Sequence, residues 1–302
     1  MTYEELLESM VGIDKRIFVM TAENRAAIRN LPGKIGGNFI DTGITESTLV
    51  GMAAGLALRG NIPVAHALAT FLTLRAFEFI RDDVGIPNLP VKLVGAVPGF
   101  LSDGNGPTHQ AIEDISLMRG IPNMNVFTPA DEQELLLGLP HIIHSPAPWY
   151  IRYNAMKPIY DHNNTFEIGK AEVVAEGKDI TLLVYGFMFS ETLKAKSILE
   201  SKGLSVGLLN IRTPKPIDKD AVLFSALSSK LLVTIEDHFL TGGLFSIVAE
   251  LLTLNRVAAN VLPIALEERW FKPATLPAVL EYEGFTAEAI AEKVFNKFQS
   301  LN

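Results

Sequence analysis

The chain contains no cysteine, which excludes disulfide bonds, thiolate catalysis and metal sites built on cysteine. Basic residues are not in excess, because 34 acidic residues outnumber 26 lysines and arginines and give a net charge of −8. That charge argues against nucleic acids and anionic membranes as partners. No apolar run reaches the roughly 20 residues that a helix needs to cross a bilayer. The acidic, amphipathic residues 1–7 are unlike a targeting peptide, so we expect a cytoplasmic protein.

Apolar runs typical of strands alternate with helical patterns along all 302 residues. The predicted strands are residues 17–20, 39–41, 64–67, 91–95, 126–128, 149–152, 180–185, 206–209, 231–235 and 261–264. The predicted helices are residues 47–59, 71–84, 130–144, 190–201, 218–226, 243–252 and 286–298. This alternation predicts two α/β domains, each a mainly parallel sheet flanked by helices. The polar residues 156–167 indicate a linker between a domain of residues 1–155 and one of residues 168–302.

A single carboxylate, Glu46, stands at the head of a segment rich in alanine, glycine and leucine. The segment follows the predicted strand 39–41 and has the pattern of a helix that is apolar on every side. Such a helix is buried, either in a core or against another subunit. An acidic residue in a first helical turn is common, because the helix dipole favours it. Glu46 alone therefore does not establish a site.

Three further features accompany Glu46. In the predicted helix 71–84, Phe71, Leu74 and Phe77 share one face, which suits either a core or a ligand wall. The glycine-rich residues 99–110, which include His109, follow a predicted strand, where α/β sheets bind their ligands. Arg152 ends the predicted strand 149–152 and can pair with a substrate anion or with a structural carboxylate. Each feature alone also has an ordinary structural explanation.

In this order, the segments resemble the pyrimidine-binding domain of the transketolase family of thiamine diphosphate enzymes. Residues 39–58 are similar to the helix that carries the family's cofactor-activating glutamate, and residues 70–81 to the aromatic segment around the aminopyrimidine ring. Residues 104–114, with the string Gly-Pro-Thr-His-Gln, are similar to the substrate-facing histidine loop, and residues 121–131 continue the match. Residues 236–244 are similar to the transketolase C-terminal domain. The resemblance covers nearly the whole chain.

The resemblance implies a role for each site residue. A carboxyl group that is hydrogen-bonded to N1′ of the pyrimidine helps the cofactor's 4′-amino group to remove the thiazolium proton, and Glu46 matches that carboxyl group. The catalytic residues are Glu46 and His109. The cofactor-binding residues are Glu46, Phe71, Leu74, Arg75 and Phe77. The substrate-binding residues are Val97, Asn105, His109 and Arg152.

The family's magnesium-binding Gly-Asp-Gly motif is absent from the sequence. Mg²⁺ requires hard oxygen ligands, and we assign no metal ligand in this chain. The resemblance therefore implies the C-terminal half of a split transketolase, whose N-terminal partner carries Gly-Asp-Gly and binds Mg²⁺ and the diphosphate. It implies a dimer or a two-plus-two heterotetramer, with the helix that contains Gly51 and Gly55 near an interface. We expect the chain alone to bind thiamine diphosphate weakly.

The implied activity is transfer of a two-carbon ketol unit from a ketose to an aldose, with sugars or sugar phosphates as substrates. Val97 and Asn105 stand where related transketolases have a histidine and an aspartate that contact the donor, which favours a less hydroxylated or unphosphorylated donor. Leu74 stands where some members have an aromatic residue or a glycine. Two alternatives remain. One is an acyloin condensation with a 2-oxo acid, as in deoxyxylulose-phosphate synthase, which residues 71–76 also resemble. The other is a catalytically inactive family member that acts as a binding subunit.

Overall fold

The computed structural model describes residues 1–301, which form two compact units. The first unit consists of Met1–Pro98 and Leu117–Ile168. The second consists of Gly99–Ser116 and the chain from Gly169 onward. The two predicted α/β domains with mainly parallel sheets are confirmed.

The sheet of the first unit has six strands, all parallel to their neighbours. They are β1 (Ile17–Thr21), β2 (Phe39–Asp41), β3 (Ile62–Leu68), β4 (Lys92–Ala96), β5 (Asn125–Phe127) and β6 (Trp149–Arg152). Their order is β2-β1-β3-β4-β6-β5. The chain passes from β1 outward to β2 and then returns across β1 to β3. The strand order therefore reverses between β1 and β3.

Six helices begin before residue 169: α1 (Tyr3–Ile13), α2 (Leu31–Ile35), α3 (Glu46–Leu58), α4 (Phe77–Phe79), α5 (Asp114–Gly120) and α6 (Glu132–Ile143). The division between the units falls within α5. Helix α1 begins with a capping box, in which Thr2 and Glu5 satisfy each other's backbone N–H groups. Neither α1 nor α5 has a counterpart among the predicted helices.

The predicted single helix over residues 71–84 is interrupted. Two π-helical turns, Phe71–Arg75 and Ile80–Gly85, flank the short α4. A π-helical turn has more residues than an α-helical turn, so it shifts the side chains that follow to a different face. Leu74 is 44% exposed, whereas Phe71 and Phe77 are half-buried. The predicted common face for Phe71 and Leu74 is therefore wrong.

The sheet of the second unit has five strands: β7 (Glu172–Ala175), β8 (Ile180–Val184), β9 (Val206–Asn210), β10 (Leu231–Phe239) and β11 (Val261–Leu266). Their order is β11-β10-β8-β9-β7, and only β7 is antiparallel to its neighbour. The helices are α7 (Phe189–Ser201), α8 (Lys219–Ser228), α9 (Leu244–Leu254), α10 (Leu276–Glu283) and α11 (Ala287–Gln299). Neither β7 nor α10 has a counterpart among the predicted strands and helices.

The residues predicted as a linker pack on the first unit. The ring of Phe166 meets the ring of Phe127 edge to face at 5.4 Å. Buried His162 has its Nε2 atom 2.9 Å from Oδ2 of Asp131. The predicted domain limits stay a prediction, although the contacts of Gly99–Ser116 group that segment with the second unit.

Within the described residues, no helix combines the length and the apolar character needed to span a membrane. The cytoplasmic location stays a prediction.

A buried lysine gives the first unit a testable pH dependence. Nζ of Lys92, in the central strand β4, donates hydrogen bonds of 2.7 Å to the carbonyl oxygens of Ser145 and Ala147. Burial lowers the pKa of Lys92 from 10.5 to about 7. Between these two pH values the unfolded chain binds more protons than the folded chain, so folding becomes more favourable as pH rises.

We expect the stability of the wild type to rise between pH 7 and pH 10 relative to that of Lys92→Met, by at most about 1.4 kcal/mol per pH unit. Urea unfolding of both proteins across this range measures the difference, in which the titration of all other groups cancels. If stability changed equally with pH in the two proteins, folding would not lower the pKa of Lys92.

Candidate functional site

A cleft of about 350 Å³ opens at the carboxyl ends of β1 and β3. Its lining residues are Ala22, Glu23, Asn24, Ile44, Glu46, Leu68 and Phe71. The cleft therefore lies where the strand order reverses, which is the ligand-binding position of open parallel α/β sheets. Its volume lies within the range of small-molecule sites.

Glu46 is the only acidic side chain of the cleft that is buried, with 3% of its surface exposed. It is the first residue of α3, where the helix dipole stabilises a negative charge. Nη1 of Arg75 donates a hydrogen bond of 2.8 Å to its Oε2 atom. Within residues 1–301, Oε1 of Glu46 accepts no hydrogen bond. One carboxyl oxygen is thus held in place, and the other can bind a ligand.

Arg75 connects Glu46 with the aromatic wall of the cleft. Its guanidinium carbon lies 4.3 Å from the centroid of the Phe71 ring, which is a cation–π contact. The structure therefore brings together Glu46, Phe71 and Arg75 from the predicted cofactor site. Leu74 and Phe77 do not line the cleft, and their role in cofactor binding stays a prediction.

The rim of the cleft is held by Asp41, at the end of β2. Its carboxylate accepts hydrogen bonds from the backbone N–H groups of Glu23 (3.2 Å) and Gly43 (2.9 Å) and from Nε of Arg25 (2.8 Å). Burial raises the pKa of Asp41, but the hydrogen bonds from Gly43, Arg25 and Glu23 outweigh it and lower the pKa below its ordinary value. Asp41 and residues 22–24 are not among the predicted site residues. Residues 22–24 directly follow β1 and Asp41 ends β2, and this position at the ends of two neighbouring strands is the signal that could have identified them.

The predicted substrate residues are distributed over both units. In the first unit, Val97 follows β4 and Arg152 ends β6, where it is buried. In the second unit, Asn105 is exposed and His109 is half-buried, with its Nδ1 atom 2.9 Å from Oγ1 of Thr108. Their contact with substrate stays a prediction.

The first unit thus has the architecture of a cofactor-binding α/β domain, with a buried carboxylate and an aromatic side chain at its switch point. Residues 2–157 match the model of the transketolase pyrimidine-binding domain. Residues 169–290 match the model of the transketolase C-terminal domain. The chain belongs to the transketolase family and corresponds to these two domains of a split transketolase.

Named relatives agree with this assignment. The chain is 38% identical to the 6-deoxy-6-sulfo-D-fructose transketolase subunit SqwH of Clostridium sp. (strain MSTE9), over 84% of this chain and 80% of that protein. It is 37% identical to 1-deoxy-D-xylulose-5-phosphate synthase of Dictyoglomus thermophilum, over 87% of this chain but only 43% of that enzyme. A solved structure described as a split gene transketolase, inactive beta4 tetramer, superposes with a TM-score of 0.89 at 32% identity, covering 98% of this chain and 97% of that one.

The transketolase and synthase relatives imply thiamine diphosphate as the cofactor. The cleft suits the aminopyrimidine part of that molecule, because Ile44, Leu68 and Phe71 provide apolar walls and Glu46 provides a hydrogen-bonding carboxyl group. Transketolases are transferases, and the chain belongs to an enzyme family of that class.

Backbone strain at Val97 leads to a prediction. Val97 has a φ of +50°, a left-handed conformation that costs an L-residue about 1–2 kcal/mol and is unusual for a β-branched one. Asparagine adopts this conformation more readily. We expect Val97→Asn to stabilise the chain by about 1 kcal/mol, as measured by urea unfolding.

The control is Arg256→Asn, because Arg256 is exposed and has a φ of +55° without a branched Cβ. It should give a smaller gain. A loss of stability in Val97→Asn would mean that packing of the valine side chain outweighs the strain.

Proposed function

We propose that this chain is the cofactor-activating subunit of a split transketolase, which transfers a two-carbon ketol unit from a ketose donor to an aldose acceptor. The observation that carries the proposal is Glu46, buried in the cleft beside Phe71 at the switch point of the first sheet. When bound, thiamine diphosphate supplies the carbanion chemistry that breaks and forms the carbon–carbon bond. The protein residues bind and orient the reactants and move protons.

Glu46 would hold the aminopyrimidine by sharing a proton with its N1′ atom. The hydrogen bond from Arg75 holds Oε2, so that Oε1 is directed to this task. Low exposure excludes competing water from the carboxyl group, which strengthens its hydrogen bond to the ring. The position of Glu46 at the N-terminus of α3 fixes its backbone.

Phe71, Leu68 and Ile44 form an apolar surface against which the pyrimidine ring would pack. Arg75 covers one face of Phe71 and is half-exposed, so it stands at the edge of this surface. We place Arg75 in the cofactor site as a residue that orients Glu46. Leu74 and Phe77 do not line the cleft, so any contact that they make with the cofactor would lie outside it.

His109 acts on the substrate as a hydrogen-bond donor or proton carrier for carbonyl and hydroxyl groups. Arg152 binds a phosphate or carboxylate group of the substrate. Val97 and Asn105 favour a donor with fewer hydroxyl groups or without phosphate. These assignments extend the family resemblance to the matching positions of this chain.

A partner chain completes the enzyme. It carries Gly-Asp-Gly and binds Mg²⁺ and the diphosphate, and two chains of each kind assemble in the cytoplasm. Support comes from the relative named as a transketolase subunit and from the split-gene relative whose beta4 tetramer is described as inactive. The N-terminal half of the domain set is absent from the matched regions of this chain.

A second candidate is an acyloin condensation with a 2-oxo acid, which the 37% identity to 1-deoxy-D-xylulose-5-phosphate synthase favours. The reconstituted two-chain enzyme distinguishes the two. Two-carbon transfer from a ketose supports the transketolase reaction, and release of carbon dioxide from pyruvate supports the condensation. Turnover of neither donor class would favour a catalytically inactive subunit.

The role of Glu46 is tested by Glu46→Gln in the two-chain enzyme. We expect turnover to fall by at least about a hundredfold, because an amide cannot share a proton with N1′ as a carboxyl group does. Stability should change by about 1 kcal/mol or less, because the partner Arg75 is 51% exposed and its charge is screened by water. Steady-state kinetics and thermal unfolding measure the two effects.

Glu283→Gln is the matched control. Glu283 is also a buried carboxylate that accepts a hydrogen bond from a half-exposed arginine, Nη1 of Arg269, at 2.6 Å. It should lose a similar small amount of stability and keep full turnover. Equal turnover in Glu46→Gln and the wild type would disprove the function assigned to Glu46.

The assembly is tested on the open face of α3. A Cβ atom added at Gly51 or Gly55 meets no atom within 4 Å, and Met52 and Leu58 are 42% and 71% exposed. Alanine at a solvent-exposed helical position stabilises by about 0.5–1 kcal/mol relative to glycine. If this face packs closely against another subunit, the added methyl groups instead weaken association.

We expect the double variant Gly51→Ala/Gly55→Ala to weaken self-association or partner binding by roughly tenfold or more, which corresponds to overpacking of 1–3 kcal/mol. Sedimentation velocity over a dilution series measures this. Gly12→Ala, also without neighbours within 4 Å, is the control and should leave association unchanged. Greater stability with unchanged association would place this face in solvent.

A further inference from the structure

The segment Gly99–Ser116, here named the histidine loop, is fixed to the second unit by contacts along its length. The backbone N–H of Phe239 donates to the carbonyl of Ile112 at 2.9 Å. Nε2 of Gln110 donates to the carbonyl of Phe271 at 2.9 Å. The loop is also closed on itself, since the N–H of Gly99 donates to the carbonyl of Ala111 at 2.8 Å. Residues adjacent to His109 are therefore tied to the second unit.

The end of β10 forms the densest part of this attachment. Gly99 has a φ of +55°, and a Cβ atom there would lie 1.7 Å from Oδ2 of Asp237. A Cβ atom on Gly242 would lie 2.4 Å from Cβ of Ser116. Glycine is thus required at Gly99 in the loop, opposite β10, and at Gly242 after β10, opposite the loop. Such close backbone approach leaves little freedom for either end of the histidine loop.

The side chain of His238 links the end of β10 to the histidine loop. Its side chain is fully buried. Nδ1 lies 2.7 Å from the carbonyl oxygen of Phe239, which can only accept a hydrogen bond, so Nδ1 carries the proton. Nε2 accepts the backbone N–H of Ser116 at 3.3 Å, which can only donate. These two partners fix a neutral imidazole in a single tautomer.

The N–H of Ser116 belongs to the first turn of α5, which begins at Asp114. The first N–H groups of a helix have no acceptor within the helix. His238 supplies one from a residue 122 positions away in sequence. It therefore caps the helix that ends the histidine loop, and fixes where the loop ends.

The strand that bears His238 is itself firmly held. The carboxyl group of Glu236 accepts the backbone N–H groups of Leu244 (2.6 Å) and Phe245 (2.9 Å) at the start of α9. A Cβ atom on Gly243 would lie 1.9 Å from Oε2 of Glu236 and 2.8 Å from Nδ1 of His238. Burial raises the pKa of Glu236 to about 8. The residues around His238 are therefore tightly packed, and no side-chain atom can be added at Gly243.

We propose that His238 is a positioning residue, which sets the conformation of the histidine loop by accepting the N–H of Ser116 and thereby places His109 and Asn105 for the substrate. The part of this inference that concerns substrate rests on the proposed function. The part that concerns the loop does not.

Hydrogen–deuterium exchange on the purified chain tests the structural part. In His238→Leu, which removes the acceptor, amides of the histidine loop should exchange roughly tenfold faster, while those of β8 and β9 keep the wild-type rate. His238→Gln places an accepting oxygen near the position of Nε2 and should restore much of the protection. His144→Leu, at an exposed histidine, is the control and should match the wild type.

Unchanged exchange of the loop in His238→Leu would overturn the proposal. Faster exchange throughout residues 169–301 would also overturn it, because it would show a general loss of stability. So would a glutamine variant that behaves like the leucine variant. These outcomes need no partner chain and no substrate, so they are independent of the proposed function.

Kinetics of the two-chain enzyme test the catalytic part. We expect His238→Leu to lower kcat/KM for the donor by roughly tenfold or more, as small displacements of substrate-positioning groups do. The affinity for thiamine diphosphate should stay within about twofold of the wild type, since Glu46 and Phe71 are unaffected. Rescue of kcat/KM in His238→Gln supports the proposal. If His238→Leu kept the wild-type kcat/KM although its histidine loop exchanges faster, the position of the loop would not affect catalysis. That result would refute the proposal.

Discussion

The cleft depends on the carboxyl group of Glu46, which is buried among largely apolar side chains. Removing a charged group from water is costly unless other charges and dipoles replace the lost hydration. For Glu46 those are the N-terminus of α3 and the guanidinium group of Arg75. Both are modest stabilisers, because Arg75 is half-exposed and a helix dipole contributes no more than about 1 kcal/mol at ordinary sites. Because this stabilisation is modest, the carboxyl group of Glu46 can still gain from a hydrogen bond to a ligand.

The parallel sheet makes this arrangement possible. All six strands of the first unit end on the same side, and the reversal of order between β1 and β3 leaves a gap that neither crossover covers. The segments after β1 and β2 form its rim, held by hydrogen bonds to Asp41. The segment after β3 supplies Phe71 and Arg75, and α3 supplies Glu46. Three separate parts of the sequence, residues 22–24, 41–46 and 68–75, thus meet around one cleft because the topology brings the strand ends together.

The sequence predicted every strand that has a parallel neighbour, because buried parallel strands are short, nearly continuous apolar runs. It did not predict β7, an antiparallel edge strand in which Val173 is 54% exposed and apolar alternation is weak. It predicted Glu46 and Phe71 through the family resemblance, and the cleft contains both. It placed Leu74 beside Phe71, because helical periodicity assumes 3.6 residues per turn and the π-helical turn at Phe71–Arg75 does not obey it.

The position of the histidine loop in the sequence also did not predict the unit to which it belongs, for a physical reason. The loop follows β4 directly and its nearest neighbours in sequence are in the first unit. Its Ile112 carbonyl nevertheless accepts from the N–H of Phe239, and its Gln110 side chain donates to the carbonyl of Phe271. Long-range contacts of this kind leave no local pattern, since Ser116 and His238 are 122 residues apart. The residues assigned to the cofactor belong to one packing unit and His109 to the other, so substitutions that change the loop need not alter the surroundings of Glu46. If Asn105 contacts the donor and Glu46 activates the cofactor as proposed, donor preference can therefore diverge while Glu46 is kept.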